Sequence, residues 1–333
     1  MKYSQTTAAF IVVLLLVLCC YGQSNPRDVA IRHYIDGRNP EAVQSLKELI
    51  KQAKYSNDAE LIEYLGLAYL RTSENKDARK MLEEAVKLDP SNGTYRANLA
   101  YSYLLERKIG RARKEADKAI ELDPSNMPAY YVLGRAELWE SETGDAMRTA
   151  DKMISLDPGF PPGYMLKSDT LVAILGKKVA AGSSVKDEIS LLADSVAVLE
   201  DGLKNMKQES YQKAVKEMLE SARAFHDYYN REPASKAAPN VPEPGVTPFK
   251  ILSKPRASYT DKARNANRQG SILVAVLLGA NGRVLHVMVL RGLGYGLDEQ
   301  AVAAASRIVF EPKKKNGVPI STVVNFEYTF SIY

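Results

Sequence analysis

The tripeptide Leu-Asp-Pro occurs three times at a fixed interval, and this repetition constrains the fold more than any other feature of the chain. Its prolines are Pro90, Pro124 and Pro158, so each lies 34 residues after the one before it. Self-similarity at this period is typical of proteins built from small repeated supersecondary units. A proline stops an α-helix because it lacks the backbone N–H and clashes with the preceding turn. Each unit is therefore predicted to end in a helix that stops at its proline.

Three consecutive units align over their whole length, at residues 59–92, 93–126 and 127–160. Small residues recur at matching places in each unit, which lets two antiparallel helices approach closely. This pattern resembles the tetratricopeptide repeat, and the resemblance implies an all-α superhelix of stacked helix pairs over residues 25–228. Residues 25–53 resemble a degenerate opening pair. The helices after residue 160 are predicted to be longer and atypical, as terminal repeats of a stack often are.

The resemblance also implies a concave groove, lined by the first helix of each repeat, that binds a protein or peptide ligand. The candidate lining residues are Glu63, Leu67, Leu70, Ala97, Tyr101, Leu104, Tyr131, Arg135 and Leu138. Most of them are apolar or aromatic, so the expected ligand is an apolar segment. The alternative is that Leu70, Leu104 and Leu138 pack between neighbouring helices.

The N-terminal residues 1–22 have the layout of a secretory signal peptide: Lys2, then an apolar core, then small residues before a cut at Gln23. Two alternatives stay open, namely a retained membrane anchor and lipidation at Cys19 or Cys20. Both cysteines of the chain lie here, so a cleaved protein would have no disulfide and no thiolate metal site. The expected location is the cell envelope, in the periplasm or anchored in the inner membrane.

The pattern changes after the repeats. Residues 229–248 are rich in proline and alanine and are predicted to form a semi-extended linker. Residues 249–333 predict a small α+β domain, with a helix at about 260–268 and another at about 297–309. Two strands meet at Asn281-Gly282, a strong hairpin signal, and a last strand has alternating apolar residues.

Three glycines, Gly292, Gly294 and Gly296, separate the second strand from the second helix, as in many phosphate-binding loops. A dinucleotide fingerprint requires GxGxxG inside a parallel βαβ unit, whereas here the spacing is GxGxG and the strand belongs to a hairpin. Asp298 is predicted at the start of the helix, where its carboxylate would compete with a phosphate. The glycines are therefore predicted to form a turn and not a nucleotide site.

Residues 254–330 resemble the C-terminal domain of TonB-type energy transducers. The matching positions are Tyr259, Ala263, Arg264, Gly270, Gly282, Val287, Met288, Val289, Gly292, Leu297, Asp298, Ala301, Phe310, Pro312, Gly317, Val318 and Pro319. One departure is Thr260, where the family usually has proline. The fold class expected for the whole chain is thus multidomain: an all-α tetratricopeptide superhelix followed by a small α+β TonB C-terminal-like domain.

The resemblance implies a mechanism in which this domain adds a short segment of an outer-membrane transporter as an extra strand on its sheet edge. The edge is expected at residues 321–329, and the candidate contacts are Thr322, Val323, Val324, Asn325 and Glu327. The alternative is that this strand is paired in a dimer or covered. From residue 249 onward the chain has 12 Lys and Arg against 5 Asp and Glu, which favours an acidic partner or a solvated basic face.

No constellation for catalysis is present in the sequence. The three histidines, His33, His226 and His286, are isolated from acidic pairs and from one another, so neither a metal nor a cofactor is predicted. We therefore expect a non-enzymatic binding and coupling protein of a Gram-negative envelope, with protein or peptide partners, no nucleic acid, and an outer-membrane TonB-dependent transporter as the implied target. The rival hypothesis is a soluble periplasmic scaffold without energy transduction.

Overall fold

A computed structural model describes residues 25–231 and 244–332. The chain divides into two compact units, an N-terminal unit, Met1–Val132, and a C-terminal unit, Leu133–Tyr333. The predicted signal peptide or anchor lies outside the described residues. Within the described ranges, no helix has both the length and the apolar character needed to cross a membrane.

Helix pairs of constant length follow one another along the repeat region. The first helix of each clear repeat has 13 residues and the second has 14. This agreement confirms the helix pairs predicted from the period of 34. The helices are α1 (Pro26–Ile35), α2 (Asn39–Ile50), α3 (Ala59–Arg71), α4 (Asn75–Leu88), α5 (Gly93–Leu105), α6 (Ile109–Leu122), α7 (Met127–Trp139) and α8 (Thr143–Leu156).

An Asp or Asn side chain caps the first helix of each clear repeat. Asp58, Asn92 and Asn126 accept hydrogen bonds from backbone N–H groups in the first turns of α3, α5 and α7, respectively. Such a side chain satisfies a donor that has no partner inside the helix. These three residues are again spaced by 34, so the period fixes the helix starts as well as the helix ends.

The core of the N-terminal unit depends on small residues where helices cross. Ala78, Ala85 and Ala112 have no exposed surface. A Cβ added at Gly66 in α3 would lie 2.8 Å from Cγ of Leu82 in α4, so this glycine sets how closely the two helices pack. Such close approach explains the small residues at matching positions in the repeats.

The C-terminal unit begins within α7 and continues through α8 into three longer helices and a set of strands. The helices are α9 (Pro161–Ala180), α10 (Ile189–Asn205) and α11 (Gln212–Arg231). After the strands β1 (Val246–Thr247) and β2 (Lys250–Ser253) come α12 (Asp261–Asn265), β3 (Gly270–Leu278), β4 (Val284–Arg291), α13 (Leu297–Ala305), β5 (Val309–Glu311), β6 (Lys314–Lys315), β7 (Val318–Pro319) and β8 (Thr322–Phe330).

The main sheet is antiparallel, with the order β4-β3-β8, and β3 lies in its centre. One face packs on α12 and α13 through a core that includes Val274, Val276 and Tyr328. The other face packs on the long helices, where Ala275 and Leu277 meet Leu175, Leu192 and Phe225. The continuous apolar run in β3 reflects burial on both faces, because a half-exposed strand would alternate with polar residues.

Helix α13 ends earlier than predicted. It stops at Ala305 and not near residue 309, because the chain then enters β5, which pairs with β2. This pairing places Phe310 opposite Ile251 and buries its ring against the sheet. The predicted linker, residues 229–248, includes residues 232–243, which lie outside the described ranges. The predicted domain boundaries at 228 and 249 therefore stay a prediction.

Candidate interaction surfaces

The predicted edge strand corresponds to β8, the last strand in the sheet order. It pairs with β3 in an unbroken register from Gly270 opposite Phe330 to Leu278 opposite Thr322. Within residues 25–231 and 244–332, no strand pairs with its other side. An unpaired side of a strand presents backbone N–H and C=O groups to any chain that can align with it.

The hydrogen bond from Lys254 identifies which backbone groups of β8 point away from the sheet. Its Nζ donates to the carbonyl oxygen of Glu327 over 2.8 Å, so this carbonyl faces outward. Backbone groups alternate between the two sides along a strand. The groups of Val323, Asn325 and Thr329 therefore also face outward, at the edge.

The side chains of β8 divide between two faces, much as the sequence predicts. Val324 and Phe326 pack against the α12–α13 core, whereas Asn325 and Glu327 are exposed on the opposite face. Thr322 is a correction: it is buried, and its hydroxyl bonds to that of Tyr228 in α11, 2.8 Å away. Its side chain therefore offers no surface to a partner.

A basic residue stands at the middle of this edge. The ammonium of exposed Lys254 lies 5.6 Å from the ring centroid of Phe326 and 4.7 Å from that of Tyr328. On the opposite face, Arg291 forms an ion pair of 3.0 Å with Glu327. One face of the edge thus carries the ammonium of Lys254, and the other carries the carboxylate of Glu327, which is already paired with Arg291.

The opposite edge of the sheet is obstructed. The carbonyl of Leu290 in β4 faces Gly176 in α9, and a Cβ added at Gly176 would overlap that carbonyl. A helix in contact with the strand backbone leaves no room for a further strand at that point. Strand addition is therefore geometrically simpler at β8.

The glycine turn holds α13 in place. The carboxylate of Asp298 accepts from the backbone N–H groups of Leu293 and Gly294, at 2.8 and 3.1 Å. Gly294 lies directly against the indole of Trp139, and the ring of Tyr295 meets that indole edge-on at 5.2 Å. The carboxylate occupies the donors that a phosphate would need, and the glycines allow the indole to approach the backbone.

The residues predicted to line a groove differ widely in exposure. In the N-terminal unit, Tyr101 is 37 % exposed, whereas Leu104 is 8 % exposed. Leu67, Leu70 and Tyr131 are partly buried. Ala97 is a correction: it has no exposed surface because it packs with other alanines of the core, so it cannot contact a ligand.

Glu63 is nearly buried in the N-terminal unit, and its Oε1 accepts a hydrogen bond of 2.6 Å from Asn98. Desolvation by burial raises the pKa of its carboxyl group, and the Asn98 bond partly opposes this effect. In the C-terminal unit, Arg135 pairs with Asp169 at 2.6 Å and Leu138 is partly buried. The contact of Glu63, Arg135 and Leu138 with a ligand stays a prediction, as it does for the remaining groove residues.

Within the described ranges, no group of three or more His, Cys, Asp or Glu side chains is placed to hold a metal ion. His286, predicted to be a surface residue of a strand, is partly buried in β4, and burial lowers the pKa of its imidazole.

Two family models match the chain. The model described as Gram-negative bacterial TonB protein C-terminal matches residues 255–332, and the tetratricopeptide repeat model matches residues 30–93 and 64–126. The fold and these matches define a repeat-based protein-binding scaffold with an added sheet domain. The chain contains tetratricopeptide repeats and a TonB-type C-terminal domain, and both predicted resemblances are confirmed. Both families are non-catalytic, and the TonB C-terminal family is a family of the Gram-negative cell envelope. The two matches together indicate protein interaction in the envelope.

Solved structures similar to the chain include three repeat proteins. A MamA protein is 21% identical, with 57% of this chain and 92% of that chain covered and a TM-score of 0.42. The Arabidopsis OM64 TPR domain is 23% identical, with 34% and 93% covered and a TM-score of 0.33. The first TPR of Spaghetti (RPAP3), bound to an HSP90 peptide, is 20% identical, with 35% and 92% covered and a TM-score of 0.34. No curated protein matches the chain.

Proposed function

We propose that this chain is a non-enzymatic coupling protein of the Gram-negative cell envelope. Its C-terminal domain takes an extended segment of an outer-membrane transporter onto β8, while its repeats hold a partner protein. The observation that carries the proposal is the open side of β8, where the backbone groups of Val323, Asn325, Glu327 and Thr329 face outward. In this mode, main-chain hydrogen bonds supply affinity and alternate side chains supply register.

A substitution at Asn325 tests strand addition without breaking the sheet. Its backbone N–H faces away from β3, so Asn325→Pro removes an edge donor and leaves the ladder to β3 intact. Proline is tolerated on an edge strand when its nitrogen faces solvent. Asn325→Ala is the matched control, because it changes the side chain and keeps the N–H.

The binding assay uses fluorescently labelled peptides that copy periplasm-facing segments of the host's outer-membrane transporters. Segments of outer-membrane proteins that are not transporters serve as the comparison set. We expect one or more transporter segments to bind the unsubstituted protein and the Asn325→Ala variant, and to lose binding with Asn325→Pro. Equal binding by all three proteins, or no binding by any transporter segment, would contradict the proposal.

The repeat surface is the second part of the proposal. It includes Leu67, Leu70, Tyr101 and Tyr131 in the N-terminal unit, and of these the half-exposed Tyr101 is the best-placed anchor. A photo-reactive residue at Tyr101 should cross-link to the partner in the envelope, whereas one at the exposed Lys80 of α4 should not. Equal cross-linking at both positions would argue against a specific surface on the first helices.

The N-terminal residues decide between energy transduction and the rival scaffold. Force can be transmitted only by a protein that is held in the inner membrane. An intact Met1 in the inner-membrane fraction, measured by mass spectrometry, supports coupling. A mature chain that starts at Gln23 in the soluble periplasm supports a scaffold that docks through the same β8 edge.

A further inference from the structure

We infer that Lys254 selects an acidic partner: the segment that adds to β8 carries a carboxylate on the face formed by Phe326 and Tyr328. This inference rests on the proposed strand addition and names the chemistry of the segment. The starting point is that Lys254 already occupies the edge. Its ammonium donates to the Glu327 carbonyl and lies over the rings of Phe326 and Tyr328.

The ammonium is held without a carboxylate. In the part of the chain that the structure describes, Lys254 forms no ion pair, and its partners are a neutral carbonyl and two aromatic rings. Cation–π contacts at exposed sites are weak. A charged donor that pairs with a carboxylate forms a stronger bond than one that pairs with a neutral group. The site is therefore suited to exchange its carbonyl partner for an incoming acid.

Strand addition favours this exchange. An incoming strand bonds to the outward groups of Glu327, and its N–H competes with Lys254 for the carbonyl oxygen. Lys254 cannot move far from the edge, because it follows directly after β2, which is fixed by pairing with β5. Its ammonium therefore stays close to the Phe326 and Tyr328 face. A side chain of the new strand on that face lies within its reach.

The opposite face disfavours an acid. There Glu327 projects beside Arg291, which it already neutralises at 3.0 Å. An acidic residue directly across from Glu327 would meet a like charge, and such cross-strand pairs are destabilising. A slip of one residue moves every side chain of a strand to the other face. Lys254 and Glu327 together thus select the register as well as the charge of the segment.

The test uses capped peptides as long as the nine-residue β8, of alternating Thr and Val, that carry Glu, Lys or Thr at the centre. Each is titrated against the unsubstituted protein and against Lys254→Ala and Lys254→Glu. Lys314→Gln is the matched control, because it removes the charge of an exposed lysine in a different small sheet. The readout is the ratio of affinities for the Glu and Lys peptides, which does not depend on how much protein is folded.

We expect the unsubstituted protein and Lys314→Gln to prefer the Glu peptide about fivefold, the size of a good cross-strand charge pair. Lys254→Ala should lose this preference and bind the Thr peptide more tightly than the unsubstituted protein does, since the edge is no longer occupied. Lys254→Glu should reverse the preference. If the peptides bind but the ratio is the same in all four proteins, the role of Lys254 is refuted and strand addition stands. If no peptide binds the unsubstituted protein, strand addition itself fails, and the role of Lys254 fails with it.

Discussion

Gly176 in α9 lies directly against the backbone of β4, so a larger residue at this position should lower the stability of the C-terminal unit. Gly176→Ala places a methyl group where the Leu290 carbonyl now lies. The Leu290 carbonyl belongs to the backbone of β4 and cannot move aside as a flexible side chain would, so the helix and the strand must separate. Overpacking a core in this way costs up to about 3 kcal/mol. Replacing glycine by alanine inside a helix returns about 1 kcal/mol. The net loss is therefore up to roughly 2 kcal/mol, which corresponds to a fall of up to about 4–8 °C in the melting temperature of a unit of this size.

Gly110→Ala is the matched control. Gly110 is an exposed residue of α6, and a Cβ added there meets nothing within 4 Å. This variant should be more stable than the parent, by up to about 1 kcal/mol. Thermal unfolding gives both shifts, and hydrogen exchange of peptides from α9 and β4 assigns the loss to the C-terminal unit. A Gly176→Ala variant as stable as the parent would refute the close packing of helix on strand.

Three further substitutions test other features. Glu63→Gln keeps an acceptor for Asn98 and removes a buried charge. Because burial raises the pKa of Glu63 in the folded state, the parent loses stability as pH rises from the ordinary value of 4.5 through the raised value. The variant's advantage in denaturant unfolding should therefore grow over that interval and then stay constant, and a gap independent of pH would contradict the assignment. Trp139→Ala removes the ring that packs on Gly294 and should destabilise the C-terminal unit by roughly 1–3 kcal/mol, whereas Trp139→Phe should lose less; equal losses in a thermal melt would count against ring packing. Asp298→Ala leaves two backbone donors without their acceptor and should cost about 1–2 kcal/mol, seen as faster exchange of the Leu293 and Gly294 amides in the turn before α13; unchanged exchange would show that the carboxylate does not hold the turn.

The repeat region was predictable because its signals are local. The proline stop, the capping residue and the small residues at helix crossings act within a few positions of each other, and each recurs with the period of 34. The exposure of individual residues was harder to predict. Ala97 lies on a first helix as expected, but its burial depends on neighbours such as Ala119 and Ala129, which the pattern of one helix does not reveal.

The sheet was predictable in outline and its surroundings were not. Alternation in residues 322–330 and the Asn281-Gly282 signal predict the strands and the hairpin. The apolar run in β3 indicates burial on both faces, but nothing in it identifies α9, α10 and α11 as the second layer. Lys254 is likewise unremarkable in sequence, since only the pairing of β2 with β5 brings it to the edge of β8.

Residue-resolved amide exchange shows whether β8 accepts a further strand. The protein is measured by NMR alone and with the tightest-binding transporter segment. If the segment adds to β8, the outward amides of Val323, Asn325, Glu327 and Thr329 become protected on binding, while those of Val324, Phe326 and Tyr328, already bonded to β3, change little. Protection that appears elsewhere, with the four outward amides still exchanging at their original rates, would refute strand addition at β8.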